Sequence, residues 1–287
     1  RDSFHTGNDP KAFHEYGGQM GGFGPRPKEK ISLPKGHPLW DWGAYPDNDA
    51  EMPDYKVAQW AKEKLAEKHD APFFLSVGFF RPHVPMYAPQ KWFDMHPRDK
   101  IILPEAAPED LEDIPKYARE LCYGAAAPRH DYVLELGEWE HGVQAYLACV
   151  SFVDYCVGQL LDALRASDHA DNTIIVLWGD HGFHLGDKLR WGKRSLWEES
   201  TRAPLMIAGP GIEPGQRCTR PVGMIDLYPT LLELCGLPMR EGLEGLSLQP
   251  LLDNPATPWE RPALTTFGPN NHSLRSERSV SYTHLRA

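Results

Sequence analysis

The feature that most constrains this chain is the apolar periodicity between Val143 and Leu164. Val143, Leu147, Val150, Val153, Val157, Leu160, Leu161 and Leu164 recur at spacings of three and four, the signature of a helix that buries one stripe against a core. After a turn at Asp171-Asn172 comes Thr173-Ile174-Ile175-Val176-Leu177-Trp178, a continuous apolar run of strand length. Pro72 to Phe80 and Pro204 to Ala208 are similar runs. Unbroken runs of this length predict strands covered on both faces, as in a parallel sheet. A helix is expected from Asp54, as N-cap, to Lys68, and another from Tyr228 to Cys235, closed by Gly236 in a left-handed cap. Strand, helix, strand in this order predicts an α/β fold with a mostly parallel central sheet flanked by helices on both faces.

The 287 residues suffice for one large domain or two modest ones. Prolines number 27, nearly twice the usual share of about 5%, which predicts rigid loops. Residues 7–53, rich in Gly, Pro and aromatics, read as a long ordered surface loop. With the segment from Pro104 to Glu140, it is expected to line the mouth of a pocket. A net charge of −10 opposes nucleic acid as a partner, and no run approaches the roughly 18 apolar residues of a membrane span. The five cysteines show no Cys-x-x-Cys spacing; Cys149 and Cys156, seven apart on the long helix, are expected to be buried free thiols. The opening Arg1-Asp2-Ser3-Phe4 and the closing run from Ser279 to Ala287 complete no element. The latter reads as a cloning scar, residues 279–287 being a non-native tail on an internal piece of a longer protein.

Ligands of parallel sheets gather at the carboxyl ends of strands, and two loops occupy that position. Gly179-Asp180-His181-Gly182 follows the second strand; its carboxylate and imidazole suit a divalent cation, though two ligands are too few for a site. An Asp capping the next turn beside a surface His is the plainer alternative. Arg81-Pro82-His83-Val84-Pro85 follows the first strand, with prolines that stiffen the presentation of His83. Lys193 sits among Lys188, Arg190 and Arg194, a cationic segment that reads as a local anion-binding patch or as a solvated basic turn.

Taken together and in order, Phe80-Arg81-Pro82-His83-Val84-Pro85, the helix from Ala145 to Asp154, Asp180-His181-Gly182-Phe183-His184-Leu185-Gly186, Gly192-Lys193 and Asp226-Leu227-Tyr228-Pro229-Thr230-Leu231-Leu232 resemble the sulfatases of the alkaline-phosphatase superfamily, most of all the iduronate-2-sulfatase branch. The resemblance implies hydrolysis of sulfate esters of carbohydrates such as glycosaminoglycans. It makes Asp180 and His181 ligands of Ca2+, and His83 and Lys193 the catalytic contacts to sulfate. It places His272 and His5 among the substrate-binding residues, although the lysine that the family has three residues before His5 is here Asp2. It also implies a formylglycine nucleophile, made from a Cys or Ser in Cys/Ser-x-Pro-x-Arg; none of the five cysteines opens that motif. The expected division is a partial catalytic domain over 1–240 and the start of a C-terminal subdomain over 241–278. By the resemblance the fragment is itself inactive, and the protein is periplasmic or secreted, or lysosomal in an animal. The alternatives are a phosphodiesterase or phosphonate hydrolase of the same superfamily, and a non-catalytic carbohydrate-binding relative.

Overall fold

A computed structural model describes residues 12–18, 20–122 and 126–283. In chain order the elements are β1 (Trp42–Ala44), α1 (Pro53–Ala66), β2 (Met86–Ala88), α2 (Gln90–Asp94), α3 (Lys116–Cys122), α4 (His130–Glu135), α5 (Trp139–Arg165), β3 (Ile175–Trp178), β4 (His184–Leu185), β5 (Trp191–Gly192), α6 (Glu198–Thr201), β6 (Leu205–Ala208), α7 (Leu227–Leu234), α8 (Gln249–Asp253), β7 (Ala263–Thr266), β8 (His272–Arg275) and β9 (Val280–Tyr282). They fall into two units, residues 1–104 with 130–170, and residues 105–129 with 171–287.

In the first unit α5 is the organising element. Ala145, Ala148, Cys149, Phe152 and Cys156 are fully buried along it, and it packs on α1, α2, β1 and β2. Small side chains at 145, 148 and 149 let its backbone approach the strands, so that the Cys149 thiol reaches the Tyr87 carbonyl at 3.6 Å. Against expectation, this helix, 27 residues long, is apolar enough to cross a membrane by length and composition. The charged residues that interrupt its sequence are too few to break the window, and its buried stripe meets α1 and the strands. β1 and β2 pair in parallel, Trp42 opposite Met86. Below them Asp41, fully buried, accepts the backbone N–H groups of Ile31, Ser32 and Leu33 at 2.7, 2.9 and 2.8 Å and the Tyr87 hydroxyl. One carboxylate thereby ties the loop before β1 to β2. Asp54 differs from its expected capping role. Met52 is the N-cap of α1, and Asp54 is fully buried, turned towards the 80–85 loop.

In the second unit β3 and β6 pair antiparallel, Ile175 opposite Ala208. This corrects the expected parallel partnership. Parallel return needs a crossover of a dozen or more residues, usually a helix, and the chain between these strands spends its length on the β4–β5 hairpin and the four residues of α6. Full burial of the runs is also not seen: Trp178 and Met206 are 49% and 58% exposed. In the first unit, Pro72 to Phe80 forms no ladder among the described residues. It alternates strand-like, with Phe73, Leu75, Val77 and Phe79 half-buried and Phe74 exposed. α7 ends as expected, with Gly236 at φ 63°, a left-handed conformation that costs a residue without Cβ nothing.

Leu111, Ile114, Ala118 and Trp197 form a core in the second unit, packed by Leu189 and Tyr282. Tyr282 belongs to β9, which extends the antiparallel β7–β8 pair. The run from Ser279, expected to form no element, therefore carries a strand whose aromatic ring covers Trp197 at 5.1 Å between centroids.

Burial decides thiol chemistry. Cys149 and Cys156 are buried as expected, and desolvation pushes each thiol up to about 12; Cys218 and Cys235 are exposed. Since the thiolate is the nucleophile, iodoacetamide at pH 8 is expected to alkylate Cys218 and Cys235 in the native protein, and Cys149 and Cys156 only after denaturation. Peptide mass mapping checks this, and rapid native labelling of Cys149 would contradict the packing of α5.

Candidate active site

In the first unit His83 is held by a rigid local frame. The Phe80 and Arg81 N–H groups donate to the two oxygens of Asp54 at 2.6 and 3.2 Å. The buried Arg81 side chain donates from Nε to the Tyr87 carbonyl at 2.9 Å and from Nη2 to the Phe23 carbonyl at 3.0 Å. Burial pushes the Asp54 carboxyl upward, while the Arg81 charge and the two N–H donors pull the other way. His83 N–H closes a turn on the Phe80 carbonyl at 2.8 Å, and Pro82 and Pro85 both follow cis peptide bonds. The ring is half-buried, 5.1 Å from Phe23 between centroids. Its Nδ1 lies 2.6 Å from the Val84 carbonyl. A carbonyl only accepts, so Nδ1 carries the proton.

The second unit repeats this device at His181, whose Nδ1 lies 2.7 Å from the Gly182 carbonyl. Its Nε2 is 3.4 Å from Asp180 Oδ2, long for a hydrogen bond. Two ligands at right angles about 2.4 Å from a calcium ion lie about 3.4 Å apart, so this carboxylate and imidazole fit one cation. Calcium takes six to eight ligands, and the pair supplies two. The loop is pressed onto α6: Gly182 N–H donates to the Ser200 carbonyl at 2.8 Å, and a Cβ on Gly182 would overlap the Glu199 carbonyl oxygen. Only glycine fits there.

Lys193 follows directly on β5, and its carbonyl accepts from Ser195 N–H at 2.9 Å. Burial lowers its ammonium pKa first of all; Asp180 opposes the shift and Arg194 adds to it. The structure thus brings Lys193 within electrostatic reach of Asp180. The wider cationic patch is not assembled. Lys188 is spent on Asp110 at 2.7 Å and lies over the Trp197 ring, and Arg190 is buried, donating to the Arg194 carbonyl at 2.9 Å. Those side chains bind protein because they flank a tight turn, with Lys188 and Leu189 at positive φ, that folds them back onto the unit's core. His272 opens β8, half-buried, with Nδ1 2.9 Å from Thr266 Oγ1. His5 lies outside the described residues.

The sequence did not single out the supports of these side chains. Asp54 has the sequence position of a cap. His184, fully buried, stands in the sequence only as part of a motif, and no motif marks Asp187, Ser195 and Glu199 as its neighbours. The three-residue spacing of His184 and Asp187 about Gly186 was the available signal.

Fold and side chains first define a class: an α/β protein presenting an Asp-His pair and a lysine from the loops that follow its strands. The chain belongs to the sulfatase family, whose model, "Sulfatase", matches residues 13–237. It is 41% identical to a "Sulfatase" of Formosa agariphila, covering 98% of this chain and 60% of that protein. To the iduronate 2-sulfatase of Homo sapiens it is 28% identical, over 66% of this chain and 41% of that one. The chain thus spans well under two thirds of the length of these relatives. Among solved structures it is similar to the phosphonate monoester hydrolase of Agrobacterium radiobacter, with a TM-score of 0.68 and 24% identity over 82% of this chain and 53% of that one, a likeness of fold.

Proposed function

We propose that this chain is part of a sulfate-ester hydrolase acting on a sulfated carbohydrate. The observation that carries the reading is the half-buried Lys193 held near Asp180, with His181 presenting Nε2 to the same carboxylate. In this reading Asp180 and His181 are ligands of Ca2+. When bound, the calcium and a formylglycine hydrate from outside this chain would supply charge neutralisation and the attacking oxygen. Lys193 holds a sulfate oxygen with its ammonium, and its lowered pKa keeps the proton mobile enough to follow charge to the leaving oxygen. His83, fixed by Asp54 and Arg81, contacts the sulfate or the leaving oxygen, and His272 and His5 contact the sugar. Residues 1–240 then belong to the catalytic domain and 241–278 begin a C-terminal subdomain that contains β7 and β8. A periplasmic or secreted location, or a lysosomal one in an animal, goes with this reading.

The likeness of fold to a phosphonate monoester hydrolase favours one second reading, because a lysine beside a cation suits any tetrahedral oxyanion. Assay of the protein with its nucleophile segment on p-nitrophenyl sulfate and on p-nitrophenyl phenylphosphonate separates the two. Faster turnover of the sulfate is expected, and turnover of the phosphonate alone would overturn the sulfatase reading.

A further inference from the structure

We propose that His184, Asp187 and Glu199 form a second divalent-cation site, distinct from Asp180 and His181 and suited to a first-row ion such as Zn2+. One ring nitrogen of His184 and one carboxylate oxygen each of Asp187 and Glu199 lie within 4.8 Å of one another. Tetrahedral ligands about 2.1 Å from zinc are about 3.4 Å apart, so modest side-chain adjustment closes the shell. One imidazole and two carboxylates, with a water in the fourth position, suit zinc.

The hydrogen bonding around His184 holds the ring and its carboxylate neighbour in place. Ser195 Oγ donates its single proton to Ser200 Oγ at 2.9 Å and accepts Trp197 N–H at 3.2 Å. The same hydroxyl lies 2.8 Å from His184 Nε2 and anchors that side of the ring. The other nitrogen, Nδ1, faces Asp187 Oδ2 at hydrogen-bond range or closer. That carboxylate cannot swing away, because its Oδ1 accepts Leu185 N–H at 3.0 Å. Imidazole nitrogen and carboxylate oxygen are thus held facing one another, with the Glu199 carboxylate completing the group on its exposed side. A ligating histidine whose other N–H is anchored by a polar partner is the usual arrangement in metal sites. Glu199 comes from the first turn of α6, so the ion would pin the β4–β5 hairpin and its following turn to α6, the helix on which Gly182 rests. This assignment does not rest on sulfate chemistry.

The test is Zn2+ titration of the metal-stripped protein by calorimetry and by competition with a chromophoric chelator, comparing wild type, Glu199→Gln, His184→Gln and Asp180→Asn. One zinc per chain is expected. Glu199→Gln should weaken binding at least about tenfold and His184→Gln more, while Asp180→Asn leaves zinc affinity within about twofold. Glu199 is exposed, so its variant decides the matter even where His184→Gln does not fold. Zinc affinity unchanged in Glu199→Gln, or absent from the wild type, would overturn the site. Either result would leave the calcium reading of Asp180 and His181 untouched.

Discussion

Replacing Asp41 by alanine is expected to cost about 3–6 kcal/mol of folding stability. The carboxylate accepts three backbone N–H groups and a hydroxyl in a site without solvent. Each buried donor left without an acceptor costs about 1–3 kcal/mol, and losses above 4 kcal/mol arise where several such groups are orphaned together. Asp41→Asn keeps one acceptor oxygen and should lose roughly half as much. Equilibrium urea unfolding measures both; a loss below about 1 kcal/mol for the alanine variant would show that water or a rearranged loop satisfies residues 31–33. The loop before β1 looks irregular, yet this one side chain determines its path.

The second large effect is on activity. In the protein with its nucleophile segment, Lys193→Ala is expected to lower kcat/KM about 10²–10³-fold, the usual cost of removing one donor to a developing oxyanion. Lys193→Arg should restore part of it and change the pH profile. Burial moves the Lys193 pKa below its ordinary 10.5, so the ammonium is present at low pH and lost as pH rises through that lowered value. The alkaline limb of the wild-type profile should therefore fall below pH 10.5. A guanidinium does not titrate in this range, so Lys193→Arg should carry the limb upward. Identical alkaline limbs in the two proteins would remove Lys193 from the reacting centre.

What the sequence announced was whatever depends on local pattern. The 3–4 spacing from Val143 made α5 unmistakable, and a glycine after an apolar helix made the cap at Gly236 readable. Asp180-His181 and Lys193 could be chosen because charged residues between glycines, or following one, at strand ends have few structural tasks. Direction of pairing was not local: the chain between β3 and β6 is spent on the β4–β5 hairpin and the four residues of α6 and forms no crossover helix, which no residue within either strand encodes. The cationic patch failed for a related reason. Lys188 and Arg190 meet Asp110 and the Arg194 carbonyl only after the turn has folded, and Asp110 is 78 residues away. Asp54 likewise satisfies the spacing of a cap while its real partners lie 26 and 27 residues on.

The two carbonyls that lock His83 and His181 have a chemical consequence. With the proton fixed on Nδ1, a neutral ring shows its surroundings an electron pair at Nε2 and no hydrogen. At His181 that is the form the proposed cation would require. At His83, in the proposed role of a contact to sulfate, an oxyanion would need a hydrogen at that same nitrogen instead. Identical backbone clamps thus set both histidines in one tautomer, with the same nitrogen left to meet whatever the proposed site holds.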